Sequence, residues 1–189
     1  MTIEEVFSTL AKHMVEGLMI HSKLADFYGF IGLDGYKKCH EYHFFCENKS
    51  YRELNNYYLH HFGKLIIDKR FNTPDVIPES WLGYTRADVG DDTRTNSIQA
   101  GIEKWVLWER QTKKLYQSAY IELIGLEEIA AAMFVKTLLV DVDYELAEAE
   151  QEWIEKRAMD YDVNDIMPEQ EQMKKKYCKK MKEIQICST

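Results

Sequence analysis

Apolar residues recur at helical spacing along most of the chain, and the gaps in that pattern cut it into segments. From Ile3 to Phe30, the residues Val6, Leu10, Met14, Leu18 and Leu24 fall near helical spacing, and Phe27 continues the same side. This predicts one long helix. Thr2 is placed to cap it, and Glu4 and Glu5 put negative charge in the first turn, where the helix dipole favours it. Gly17 lies inside this helix and weakens it, so close approach of a neighbouring helix is the expected reason for a glycine there. Gly29, Gly32 and Gly35 end the segment. A second helix is predicted from Tyr36 to Phe62, unusually aromatic through Tyr42, Phe45, Tyr57 and Tyr58, with Gly63 as its end.

The pattern lapses over residues 64–92, which hold Pro74, Pro78, Gly83, Gly90 and the Asp91-Asp92 pair. That is long for a loop in a compact bundle, and a crossover between two antiparallel helix pairs explains it best. A third helix follows from Thr93 to Ile124, with Ile98, Ile102, Trp105, Trp108, Leu115 and Ala119 at helical spacing and Gly125 as the break. A fourth runs from Leu126 to Asp160 along Ala130, Phe134, Leu138, Val142, Glu145 and Ala149. A final helix is predicted from Pro168 to Ile184, with proline in its first turn. The expected organisation is all-α: an antiparallel four-helix bundle over residues 1–160 and a C-terminal helical extension over 161–189. The lysines at 174–176, 179 and 180 read as a solvated face of the extension.

Composition narrows the function by exclusion. A net charge of −8 argues against a general nucleic-acid binder, which needs a basic face, and is compatible with attracting cations. The longest apolar run, Ile129 to Val140, is broken by Lys136 and is too short to span a bilayer. Cys39, Cys46, Cys178 and Cys187 form no Cys-x-x-Cys pair and read as reduced thiols. The N-terminus has neither a basic start nor an apolar signal core, so the expectation is a cytoplasmic protein with no membrane insertion.

Three stretches carry a family resemblance. Gly35, Glu47 and Tyr57 stand in the second helix in the order of a Gly-led helix with a Glu-x-x-His motif and a later aromatic residue. Trp108-Glu109-Arg110-Gln111-Thr112 presents a glutamate in the third helix. Phe134 to Leu146 is an apolar run closing on Asp141, Asp143 and Glu145. Across roughly residues 3–150 the chain resembles the ferritin superfamily. The resemblance implies a ferritin-like four-helix bundle with one long crossover after the second helix, ligand glutamates at Glu47 and Glu109, and a non-haem diiron site. It also implies self-association, as a homodimer or a larger homo-oligomer, with a dimer favoured here because the C-terminal helix stands to block a closed shell.

The departures are as informative. Ser50 stands where the motif has histidine, the first-helix ligand position falls at or near Met14, and the fourth-helix glutamine position falls near Val142. Glu16 is the nearest acid to Met14 but lies two residues on, more than half a turn around the helix. Two carboxylates alone hold iron poorly. The chain has further candidates: His13 and Glu16 share one side of the first helix, with His21 two turns on, and His40, His43 and Glu47 share a stripe of the second. Glu109, Asp141 and Glu145 come from the other helix pair. Glu47, Glu109, Glu16, His43, Asp141 and Glu145 are therefore the candidate metal ligands of a rearranged carboxylate–histidine site. Iron or another divalent cation is the cofactor such a site would take.

Two functions fit this reading. In one, the bundle binds metal at that site. In the other, it binds none and serves as a structural or protein-interaction subunit, with its buried acids neutralised by Arg52, Arg110, Lys113 or tyrosine hydroxyls, since an unpaired buried charge is costly. Tyr58, Phe62, Trp81 and Tyr84 are then candidates for a contact face, and the basic last helix for contact with another protein.

Overall fold

The computed structural model describes residues 1–64, 66 and 89–187, and the side chains up to Glu183. Its helices are α1 (Ile3–Phe30), α2 (Asp34–Phe62), α3 (Asp91–Gly125), α4 (Ile129–Ala158), the short α5 (Val163–Ile166) and α6 (Gln170–Cys187), with a 3-10 turn at Met167–Glu169 before α6. Helix α1 begins with a full capping box. The Thr2 hydroxyl accepts from the Glu5 backbone N–H at 3.2 Å, and the Glu5 carboxylate accepts from the Thr2 backbone N–H at 2.7 Å. Gly63 ends α2 in the left-handed conformation at φ 64°, where a side chain would be strained.

Helices α1 and α2 form one antiparallel pair, and α3 and α4 the other. The α2 C-terminus lies beside the start of α1, where Phe62 packs on Phe7 with ring centroids 5.9 Å apart. The start of α3 lies at the other end, where the Arg94 guanidinium donates to the Ile31 carbonyl at 3.1 Å. The end of α2 and the start of α3 therefore sit at opposite ends of the bundle, which makes α2 and α3 parallel. The predicted crossover at 64–92 falls mostly outside the described residues, as do Trp81 and Tyr84.

Burial divides the core into two apolar clusters. One gathers Ile20, Leu24, Tyr28, Tyr36, Ile102 and Trp105 among others, at the end where α1 turns into α2. The second gathers Val6, Phe7, Leu10, Met14, Tyr116 and Leu138 among others, at the opposite end. Each fully buried Leu, Ile or Phe contributes roughly 1.5–3 kcal/mol. Between the two clusters the inward positions turn polar, and that band carries His13, His21, His43, Glu47, Glu109 and Thr112.

Three expectations change. The last helix does not begin at Pro168; that proline sits in the 3-10 turn, and α6 starts two residues later. Its lysines are not simply solvated. Lys176 and Lys180 donate to the Glu148 carboxylate at 2.7 and 3.0 Å, Lys180 also lies over the ring of Tyr42, and Lys174 pairs with Asp34 at 3.1 Å. Tyr58 belongs to the core rather than to a contact face, only 3% exposed, while Phe62 is half-buried. Helix α6 is held along α2 from its first residue. The Gln170 side-chain oxygen accepts from the backbone N–H groups of Gly35 and Tyr36 at 3.0 and 3.3 Å, supplying the cap that Leu33 cannot give α2.

Candidate functional site

The polar band is built by four helices at one level. Glu47 projects inward from α2 and Glu109 from α3, 6% and 1% exposed. Both positions follow from the helical period. Glu109 lies one turn beyond Trp105 and shares its inward face. The indole N–H of Trp105 donates to Glu109 Oε1 at 3.1 Å, whereas Glu109 Oε2 is buried without a partner. No arginine or lysine pairs with Glu47 or Glu109 among the described residues. Arg110 and Lys113 turn outward to Glu150 and Asp143, at 2.8 Å each. Arg52 is exposed.

The carboxyls therefore sit in a poorly solvated, mutually repulsive group. Burial pushes Glu47 up to about 8, the nearby Glu145 charge pushes the same way, and the Trp108 indole opposes it. Burial also raises Glu109 well above the ordinary carboxylate range, with the Glu145 and Glu47 charges adding to the rise. Glu145 is the link between them, partly exposed and reaching the band from α4.

Histidines supply the nitrogen side. His21 Nε2 lies 3.7 Å from Glu109 Oε1, and His43 Nδ1 lies 3.8 Å from Glu145 Oε1. The second His43 nitrogen, Nε2, lies 3.8 Å from Glu148 Oε2. His21 Nδ1 and His40 Nδ1 share a hydrogen bond of 3.0 Å, and the His21 ring stacks between His40 and His43 at 5.3 Å from each. Burial drives both His21 and His40 well below the usual histidine range, so both are neutral at pH 7. His21 Nε2, His40 Nε2 and both nitrogens of His43 are buried without a hydrogen-bond partner.

His13 takes another role. The Thr112 hydroxyl donates to the Trp108 carbonyl at 3.0 Å, so its oxygen must accept from His13 Nε2, which lies 2.7 Å away. That nitrogen carries a proton and is not a ligand. Burial lowers the ring to about 4, and it stacks on Trp108 at 4.0 Å.

The six candidate ligands divide. Glu47, Glu109, Glu145 and His43 come together in or beside the band. Asp141 lies on the outer wall of a cleft on the α2–α4 seam, with a volume of about 290 Å³, lined by Tyr42, Cys46, Lys49, Ser50, Asp141, Tyr144 and Glu145. Glu16 points outward and stands 3.7 Å from Lys12. The residue of α1 that faces Glu47 is Gly17: a Cβ there would stand 2.6 Å from Glu47 Oε1 and 3.1 Å from the Trp108 ring. A side chain there would push that carboxylate aside, and α1 contributes no acid beside Glu47. Met14 is packed in the apolar cluster instead. Glu148 is the residue missed in the sequence. The spacing Glu145-x-x-Glu148 repeats that of Glu-x-x-His and was the available signal. Burial works to raise Glu148, but hydrogen bonds from Lys176 and Lys180 bring it down to about 2.

This donor set does not fit the ferritin two-iron arrangement. Of the ligands that the resemblance implies, the first-helix acid has no counterpart at Met14 or at Gly17, which faces Glu47, and Ser50 stands where the histidine is expected. It does fit a cation in general terms, because unpartnered buried nitrogens and an unpartnered carboxylate oxygen surround carboxyls that resist ionising alone. As the side chains stand, no three His, Cys, Asp or Glu among the described residues enclose a metal ion.

No protein-family profile matches the sequence, and no curated protein matches it. Solved structures do match in shape. A humanized archaeal ferritin superposes with a TM-score of 0.76 at 14% identity, covering 90% of this chain and 94% of that one. An open-pore ferritin from the hyperthermophilic archaeon Archaeoglobus fulgidus gives 0.74 at 13% identity, covering 90% and 93%. A form of the Archaeoglobus fulgidus ferritin closed by site-directed mutagenesis gives 0.74 at 12% identity, covering 92% and 96%. At these identities the likeness is one of fold: the chain is a ferritin-like helical bundle with an added C-terminal helix.

Proposed function

We propose that this bundle binds a divalent cation, iron or another, at the carboxylate–imidazole group formed by Glu47, Glu109, Glu145 and His43, with His21 beside them. One observation carries the reading. His21 Nε2, both nitrogens of His43 and Glu109 Oε2 are buried without partners. Leaving several such atoms unmet in one region is costly, and a cation could meet His21 Nε2, Glu109 Oε2 or one nitrogen of His43, though not both nitrogens of that ring. The bound ion would also supply the positive charge that lets Glu47 and Glu109 ionise. When bound, such an ion supplies Lewis acidity or redox chemistry. The buried Glu47, Glu109 and His43 would hold the ion away from water, and Glu47 and Glu109 would bind it as carboxylates. The cleft on the α2–α4 seam, which Glu145 also lines, would be the route from solvent.

The metal-free reading asks the buried acids to be neutralised by arginine, lysine or tyrosine. Arg110 and Lys113 pair with Glu150 and Asp143 instead, which leaves protonation or a tyrosine such as Tyr116 as the means of neutralising them in that reading. A homodimer or larger homo-oligomer is the state we propose by analogy with ferritins.

The test is elemental mass spectrometry on protein purified without an affinity tag, with an anaerobic ferrous titration alongside. Stoichiometric metal that is lost in the Glu47→Ala/Glu109→Ala double variant supports the reading. No bound metal and no ferrous uptake at excess iron would leave a bundle that has kept the fold and dropped its chemistry, and the search would turn to protein partners.

A further inference from the structure

We propose that two copies of this chain pair through the outward face of α4, antiparallel about a two-fold axis. This gives the self-association proposed above a definite face, and it holds whether or not the bundle takes a metal.

The first support is an apolar face turned to solvent. On its core side α4 buries Ala131, Val135, Leu138, Val142 and Leu146. At about 100° per residue, Met133, Thr137, Val140 and Tyr144 fall within about 60° of one another on the opposite side, with Ile129 and Ala147 beside them. Ile129, Met133, Val140 and Tyr144 are 55, 50, 48 and 74% exposed. The Thr137 hydroxyl donates to the Phe134 carbonyl at 2.7 Å, so it is satisfied within its own helix. No charged side chain interrupts this stripe. The exposed positions of α2 differ: Arg52, Glu53, Asn56 and His60 are all polar. A surface helix turns a polar face to water, and one that is apolar on both sides is covered on both.

The second support identifies the occupant. In a two-fold contact, residue i of one copy meets j of the other, and j meets i. Reversing α4 about a point between Leu138 and Leu139 sets Met133 against Tyr144 of the second copy, Thr137 against Val140, and Ala130 against Ala147. Each pair brings apolar groups together, and methionine sulfur on a tyrosine ring is a favourable contact. The stripe thus matches its own reverse, which is what a second copy of this chain presents.

The third support is charge. In that register Lys136 of one copy and Asp143 of the other stand on the same edge of the contact, about 3 Å apart along the helix axis. Lys136 has no acid partner in its own chain among the described residues. Asp143 meets Lys113 through Oδ1 at 2.8 Å, which leaves its second oxygen for Lys136. The two-fold axis makes two such pairs. The stripe is about 28 Å long. One helix pair of that length covers less than the roughly 800 Å² per partner of a standard interface, so the dimer dissociates on dilution.

The experiment is sedimentation of the full-length protein in chelator, from micromolar to near-millimolar concentration. The expected result is a monomer–dimer equilibrium. Met133→Lys and Val140→Lys should each weaken it at least tenfold, while Leu59→Lys, at an exposed position of α2, should leave it unchanged. All three positions are on the surface, and circular dichroism checks that the variants stay folded. Under mild oxidation, Met133→Cys/Tyr144→Cys should give a covalent dimer that neither single variant gives. A dimer that ignores both lysine variants, or a double-cysteine variant that cross-links no better than the single ones, would overturn this pairing and leave self-association standing. A monomer at every concentration would overturn both. Neither result bears on metal uptake.

Discussion

Replacing Glu47 with glutamine is expected to stabilise the metal-free protein at neutral pH. The Glu47 carboxyl has an ordinary value of 4.5 and is pushed by burial up to about 8. The folded protein therefore holds its proton more tightly than the unfolded chain does. The favourable contribution is complete below pH 4.5 and is lost as pH rises toward 8. For these two values, linkage at pH 7 gives a penalty of about 3 kcal/mol, against about 1 kcal/mol at pH 5. Glutamine keeps the shape and has no charge to desolvate, so it escapes the penalty. For a chain of 189 residues, about 3 kcal/mol is worth roughly 6–12 °C in Tm. The assay is thermal unfolding of both proteins in chelator between pH 5 and 8. The gap between variant and parent should widen as pH rises. A variant that melts below the parent at pH 7, or a gap that does not change with pH, would refute the assignment of Glu47 as a buried, unpaired acid.

Three further outcomes are expected. Gly17→Ala places a methyl 2.6 Å from Glu47 Oε1, so the carboxylate must move; ferrous affinity measured by anaerobic titration should fall, while the gain in helix propensity keeps the stability change within about 1 kcal/mol. Gly101→Ala would drive a Cβ into the Tyr28 hydroxyl, where α1 and α3 are in contact, and should cost about 1–3 kcal/mol in chemical denaturation. Gln170→Ala removes the acceptor for Gly35 and Tyr36 at the head of α2 and should cost about 1 kcal/mol, whereas Gln170→Glu should recover most of it.

The long helices were legible because each buries one apolar side, and a period is a local property of sequence. Thr2 and Gly63 mark helix ends by their own chemistry, and each caps its helix as that chemistry predicts. The start of α6 was misplaced because Pro168 suits the first turn of a helix as well as the 3-10 turn it occupies. The lysines of α6 were read as solvated because nothing in the segment reveals Glu148, which lies on another helix. The site was half visible for the same reason. Glu47 and Glu109 stand on the inward stripes of their own helices. Whether Met14, Glu16 or Gly17 faces Glu47 depends on how α1 is rotated against α2, and no residue of α1 alone fixes that angle. His21 meets His40 across the turn between helices, a contact set by packing and not by spacing.

The polar band has an apolar cluster on either side of it, and this separates two jobs that many cores combine. Each end of the bundle is clamped by its own packing, so the helices keep their register whatever stands in the middle. The middle layer is then a replaceable part. Its residues can differ while the scaffold keeps its shape. A shape shared with a humanized archaeal ferritin at 14% identity is what such freedom allows.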